Sequence, residues 1–86
     1  MTVVFYGGVR EYTSGEKSFE AEETQCVRTL IDLLAERFGE QFKEFLLGDE
    51  TCVFLVNGNG VVTTGGLDTL LSPADKVEIL PFVDGG

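Results

Sequence analysis

Two hydrophobic periods alternate along this chain, and the points where one gives way to the other divide it into elements. Residues 2–6 (Thr-Val-Val-Phe-Tyr) are rich in β-formers and predict a first strand, which Gly7-Gly8 interrupts. Val9-Arg10-Glu11-Tyr12 reads as a connector and Thr13-Ser14-Gly15-Glu16 as a turn. Residues 17–22 then alternate, Phe19 and Ala21 against Ser18, Glu20 and Glu22, which predicts a half-buried second strand in a hairpin with the first. After that the period lengthens. Val27, Leu30, Ile31, Leu34 and Phe38 recur at helical spacing, with Arg28, Asp32, Glu36 and Arg37 mostly on the opposite face. Thr24 is expected to cap this helix and Gly39 to end it. A stripe of this kind is core rather than a cofactor site.

The second half is more broken. Residues 40–47 predict a short helix with Phe42, Phe45 and Leu46 turned inward. Residues 51–56 form a nearly continuous apolar run, expected of a strand central in its sheet. Asn57-Gly58-Asn59-Gly60 reads as a turn into a short Val61-Val62 strand. Residues 65–71 suggest a loop with a helical turn, Ser72-Pro73-Ala74-Asp75 a turn, and residues 76–80 the last strand. The order ββαββ, with short helical inserts, predicts an α+β fold: one main helix packed on one face of a mixed sheet of about five strands. That is the β-grasp, or ubiquitin-like, architecture, here expected as a single domain over residues 1–86 with a flexible tail at 82–86.

Composition narrows the chemistry. Eighty-six residues bury only roughly 60–65% of their unfolded surface, so the core must be economical. Six basic and fifteen acidic residues give a net charge of −9. That argues against nucleic acid, whose phosphates need cations, and suits docking on a basic protein surface. No apolar run is long enough to span a membrane, and the first residues lack a signal-peptide pattern, so a cytoplasmic location is expected. The chain has no histidine, which removes Ser-His-Asp and Cys-His nucleophiles and the commonest metal ligand. Cys26 and Cys52 do not form a C-x-x-C pair and read as small packed residues, although Cys26 near a helix start could have a lowered thiol pKa. Gly58-Asn59-Gly60 lacks phosphate-loop spacing, and Glu20, Glu22 and Glu23 lack calcium-ligand spacing. No metal site is expected.

The last strand and its tail carry the functional signal. By alternation Val77 and Ile79 enter the core, which puts Leu80 and Phe82 outside as exposed apolar residues beside the tail, a candidate partner surface. Pro81 stiffens the strand exit and lacks the donor that would continue the ladder. Val83, Asp84, Gly85 and Gly86 follow. Four extended residues reach about 13 Å at ~3.3 Å each, enough to enter a partner's active site. Glycine passes where side chains would block, leaving the Gly86 carboxylate sterically open. A terminal glycine pair alone is equally a frayed end. Its weight comes from its place directly after the last strand of a β-grasp.

Residues 66–86 resemble the C-terminal half of the MoaD/ThiS family of sulfur carriers, in the pattern Asp75-x-Val77-x-Ile79-x-Pro81 followed by Val83-x-Gly85-Gly86. Phe5-Tyr6-Gly7-Gly8-Val9-Arg10-Glu11-Tyr12, the Leu30, Leu34 and Phe38 helix, and Val56-Asn57-Gly58 resemble the family as well, so the likeness covers nearly the whole chain. MoaD-type members often carry two prolines where this chain has Pro81-Phe82. The resemblance therefore implies the carrier family rather than one pathway, with the molybdopterin type favoured. It implies a non-enzymatic carrier that binds no cofactor. A ubiquitin-activating-like enzyme would use ATP and magnesium to adenylate Gly86, a sulfurtransferase would supply sulfur, and a thiocarboxylate would form there. A larger synthase subunit or other sulfur-accepting enzyme would take the sulfur. Gly85 would give clearance, Val83 and Asp84 would position the tail, and Leu80 and Phe82 would dock. Two other readings stay open: a modifier joined through Gly86 to lysines, and a non-covalent interaction module that ignores the tail.

Overall fold

The structure, a computed structural model, describes residues 1–22, 24–48, 51–61 and 65–82. Its elements run β1 (Thr2–Phe5), a 3-10 turn (Gly7–Glu11), β2 (Ser18–Glu20), α1 (Val27–Phe38), α2 (Glu40–Leu47), β3 (Cys52–Val56), β4 (Asn59–Gly60), a second 3-10 turn (Gly66–Asp68) and β5 (Lys76–Pro81). The five strands lie in the order β2-β1-β5-β3-β4. β1 and β5 are parallel, and the other neighbours are antiparallel. With both helices on one face, this is the β-grasp fold.

Register explains the core. Val3 and Phe5 of β1 stand opposite Val77 and Ile79 of β5, which in turn stand opposite Val56 and Phe54 of β3. All six are buried, and they meet Val27, Leu30, Ile31 and Leu34 of α1 in one apolar cluster. The helical stripe thus does what its spacing predicts. α2 adds Phe42 and Leu46. Phe42 sits inside a group of rings, edge-on to Phe5 and Phe38 at centroid distances of 6.0 and 5.8 Å and stacked with Tyr12 at 5.6 Å. Edge-to-face and offset contacts of this kind add to the burial term.

Four expectations need correction. First, the connector at residues 9–12 belongs largely to a 3-10 turn. Val9 of this turn is fully buried, and Arg10 Nε donates to the Phe5 carbonyl at 2.8 Å. Gly7 begins the turn at φ +54°, and a Cβ there would lie 3.1 Å from Pro81 Cγ. The missing side chain lets the turn lie against the end of β5.

Second, Thr24 does not cap α1. Cys26 does: its thiol accepts the Thr29 backbone N–H, and the Thr29 hydroxyl accepts the Cys26 N–H at 3.1 Å. Residues 25–27 are tied to the chain after the second 3-10 turn, Val27 N–H to the Thr69 carbonyl at 3.1 Å and Leu71 N–H to the Gln25 carbonyl at 3.0 Å. That pairing holds Cys26 extended, with φ −153° and ψ 175°, and delays the helix to Val27. Preference rules select Ser, Thr, Asp or Asn as caps and so pass over a thiol.

Third, the short strand after β3 is Asn59–Gly60, and Val61, where the sequence predicts the strand to begin, lies past its end. Asn57 and Gly58 both take positive φ, +52° and +87°. This two-residue turn suits the strand twist and lets pairing resume at once, Val56 with Asn59. Val61 is buried beyond the ladder, and Val62 lies outside the described residues. Fourth, Pro81 does not end the ladder. It stands in register with Cys52, and Phe82 N–H donates to the Thr51 carbonyl at 3.2 Å. The expected central strand, β3, is interior, but the middle of the sheet is β5.

Candidate functional site

Once the inward rows are assigned to the core, the other face of the sheet is fixed. Val4 of β1, Glu78 of β5 and Leu55 of β3 are cross-strand neighbours there, as are Leu80 and Val53. Thr2 and Lys76 extend the row toward Glu20 on the edge strand β2. Val4, Val53, Leu55 and Leu80 are half-buried by their neighbours within the sheet, while both helices lie on the opposite face. They make an apolar field on the central strands, and β5 runs through it to the tail.

The exit of β5 is built by hydrogen bonds. Thr51, which accepts from Phe82 N–H, donates its hydroxyl to the Phe45 carbonyl and lies 3.1 Å from the Gly48 carbonyl. The end of α2 and the end of β5 therefore share one corner. Phe82 is 48% exposed there and Leu47 46%, both large apolar side chains in water. Leu80 lies on the open face, as its alternation predicts, but it is half-buried by its neighbours in the sheet rather than exposed as expected. Val83, Asp84, Gly85 and Gly86 lie outside the described residues.

One polar feature of this face was not anticipated. Tyr6, the residue after β1, donates its hydroxyl to Glu78 Oε2 at 2.7 Å, and Lys76 Nζ lies 3.9 Å from the same oxygen. The Glu78 side chain is only 20% exposed. The hydrogen bond to Glu78 holds the Tyr6 phenol above its ordinary pKa, with desolvation and the carboxylate's charge adding to it. The sequence signal was Glu78 facing outward between apolar neighbours. Its partner is 72 residues away and is found only from the parallel register of β1 and β5.

The two thiols differ. Cys26 is lowered below its ordinary pKa, chiefly by the Thr29 backbone N–H, as a thiol at a helix N-terminus should be. It pairs with Leu70, which shares a surface hollow with Asp75 at the entry of β5 rather than at its exit. Cys52 lies near the exit, opposite Pro81, but burial pushes its thiol up. Burial thus disfavours the thiolate at Cys52, whereas the helix N-terminus favours it at Cys26. Among the described residues no group of His, Cys, Asp and Glu could hold a metal ion, and no helix is long and apolar enough to cross a membrane.

This geometry agrees with the relatives of the chain. Residues 3–86 match the model of the ThiS family. No curated protein matches. A chain of the Amycolatopsis orientalis BexX/CysO complex is 31% identical, with 99% of this chain and 98% of that one covered and a TM-score of 0.82. The putative molybdopterin converting factor, subunit 1, from Pyrococcus furiosus is also 31% identical, covering 95% of each chain at a TM-score of 0.72. The small archaeal modifier protein 1 from Methanosarcina acetivorans is 28% identical, covering 99% and 94% at a TM-score of 0.77. With a family match running from the first strand through the final glycines and a β-grasp fold shared with these relatives, the chain belongs to the ThiS family of ubiquitin-like sulfur carrier proteins.

Proposed function

We propose that this chain carries sulfur as a thiocarboxylate on Gly86 and delivers it to a cofactor-building enzyme. The observation that carries the reading is the family match, which extends through Gly85-Gly86. A carboxylate is a poor electrophile, because its charge repels nucleophiles and oxide is a poor leaving group. In the proposed sequence, a Gly86 oxygen attacks the α-phosphorus of ATP on a ubiquitin-activating-like enzyme with magnesium, and pyrophosphate leaves. The persulfide of a sulfurtransferase displaces AMP to give an acyl disulfide. A thiol then reduces the S–S bond, leaving the thiocarboxylate on Gly86 and a disulfide on the donor. Tethering the sulfur to a docked domain raises its effective concentration at the acceptor.

The parts of the fold have separate roles. The open sheet face and Phe82 bind the partner, and β5 aims the chain that follows. Val83 and Asp84 lie along the partner's groove, and Gly85 gives clearance. The chain is a substrate, not a catalyst, and works in the reducing cytoplasm, where Cys26 and Cys52 stay as thiols. The acceptor is a larger synthase subunit of the molybdopterin type, a choice the Pyrococcus furiosus relative supports. The modifier named in the Methanosarcina acetivorans relative favours a second reading, in which the same activated Gly86 passes to a lysine amine.

Both readings need adenylation, and an exchange assay tests that step. Addition of the chain to its host's activating enzyme with ATP, magnesium and labelled pyrophosphate should start exchange of label into ATP. An enzyme that exchanges label with a known carrier but not with this chain would reject both.

A further inference from the structure

Glu78 is a carboxylate where an apolar docking face would do better without one. It lies on the central strand between Val4 and Leu55, one step along β5 from Leu80 on the same face. Its position is fixed: Tyr6 donates to Oε2 at 2.7 Å, and Lys76 Nζ stands at 3.9 Å from that oxygen. Two contacts on one oxygen do not saturate a carboxylate, which offers about four acceptor sites. A partner covering the apolar field strips water from this group, and a carboxylate buried without a cation opposite it is strongly disfavoured. Lys76, more than half exposed and 3.9 Å away, is a loose countercharge, so an apolar partner surface is disfavoured here. A planar guanidinium, which bonds two acceptors at once and dehydrates more readily than an ammonium, meets the requirement best. The net charge of −9 points to the same sign of partner.

We infer that the Tyr6–Glu78 pair is an acidic anchor in the docking face, and that the adenylating enzyme seats an arginine guanidinium on the Glu78 carboxylate when it covers this face. The inference rests on the proposed sulfur-carrier reading for the identity of the occupant. Tyr6 is a positioning residue: its hydroxyl holds one carboxylate oxygen in place. The pair also selects among partners, since an enzyme with an apolar or acidic group at this spot leaves Glu78 buried with only the Tyr6 hydroxyl and the Lys76 ammonium at 3.9 Å to hold it.

The test is a titration of the chain with the host's adenylating enzyme, without ATP, read by calorimetry at about 50 and 500 mM salt. Glu78→Gln keeps the side-chain shape and an acceptor for the tyrosine. It should weaken binding by about tenfold or more and flatten the salt dependence. Tyr6→Phe should lose less and keep the salt dependence, because the charge remains. Glu20→Gln removes the same unit of charge from the edge of the same face and should stay within about twofold. Thermal melts of each variant separate docking from folding. The inference is overturned if Glu78→Gln binds like wild type, if Glu20→Gln loses as much as Glu78→Gln, or if the wild-type chain does not bind. The outcomes also separate the two proposals. Glu78-dependent binding with no adenylate at Gly86 would sink the carrier reading alone. Adenylation with indifference to Glu78 would sink the anchor alone.

Discussion

Deleting Gly86 should reduce sulfur transfer to background while leaving the fold as stable as before. The reacting carboxylate would move back to Gly85, a displacement of about 3.3 Å along an extended chain. Misplacement by even 1 Å can cost about a hundredfold in a reaction that depends on alignment, and here each transfer step in the sequence uses the same terminus. Loss should therefore multiply across adenylation, sulfur loading and delivery. Stability should change by less than about 0.5 kcal/mol, as for surface positions away from packed features, because among the described residues the buried core cluster runs no further than Ile79. The check is a pair of measurements on one preparation: sulfur delivered in a reconstituted reaction, and the midpoint of urea unfolding. Full transfer by the truncated chain contradicts the carrier reading and leaves the interaction module, which has no use for the tail. Loss of transfer with a lowered midpoint would instead trace the defect to folding.

Phe42→Ala should have the largest effect on stability. Phe42 is completely buried, and its ring contacts Phe5, Phe38, Phe45 and Tyr12, the last two by stacking at 6.4 and 5.6 Å. It joins α2 to both β1 and α1, so the cavity left by truncation would lie where three elements meet. Truncating a buried Phe to Ala costs about 3–5 kcal/mol. A domain of this size has only about 4–13 kcal/mol in total at ~0.05–0.15 kcal/mol per residue. One substitution should thus remove about a quarter of the stability or more, and the urea midpoint should fall in proportion. Leu70→Ala is the control. Leu70 is 79% exposed, and its loss should cost under about 0.5 kcal/mol. Urea denaturation followed by far-UV circular dichroism gives both values. A Phe42→Ala cost below about 1 kcal/mol would mean that α2 is not part of the cooperative core.

The contrast between these two predictions reflects what could be read from the sequence. α1 was legible because Val27, Leu30, Ile31, Leu34 and Phe38 repeat a 3.6-residue period over three turns, which no strand can satisfy. The inward set of β5 was legible because Val77 and Ile79 alternate with Glu78 and Leu80. The family signal was legible because its motifs are short local runs, the most specific of them from Asp75 to Gly86. Two of the misreadings, the start of α1 and the end of the β5 ladder, share a cause: each depended on contacts between segments far apart in sequence. The start of α1 is set by pairing of Gln25 and Val27 with Leu71 and Thr69, so the obvious cap, Thr24, lies too early. Pro81 stays in the ladder because β3 supplies the Thr51 carbonyl to the next residue, Phe82. Tyr6 and Glu78 meet only because the first and last strands are adjacent and parallel. Local pattern gives elements and faces, whereas register between distant strands decides which side chains on a face touch.

This also explains why the docking field was only half visible in advance. Leu80 and Phe82 could be placed outside the core from β5 alone. Val4, Val53 and Leu55 could not, since each sits in a run of apolar residues whose inward members are known only once the register is fixed.

The most direct test is the intact mass of the chain after incubation with its host's activating enzyme, ATP, magnesium and a sulfide source, with fragmentation to locate any change. Fragmentation is essential, because oxidation of Met1, Cys26 or Cys52 adds nearly the same mass as exchange of one oxygen for sulfur. Sulfur in place of a carboxylate oxygen on Gly86 is the expected result. An unchanged Gly86, in a mixture that converts a known carrier, would contradict it.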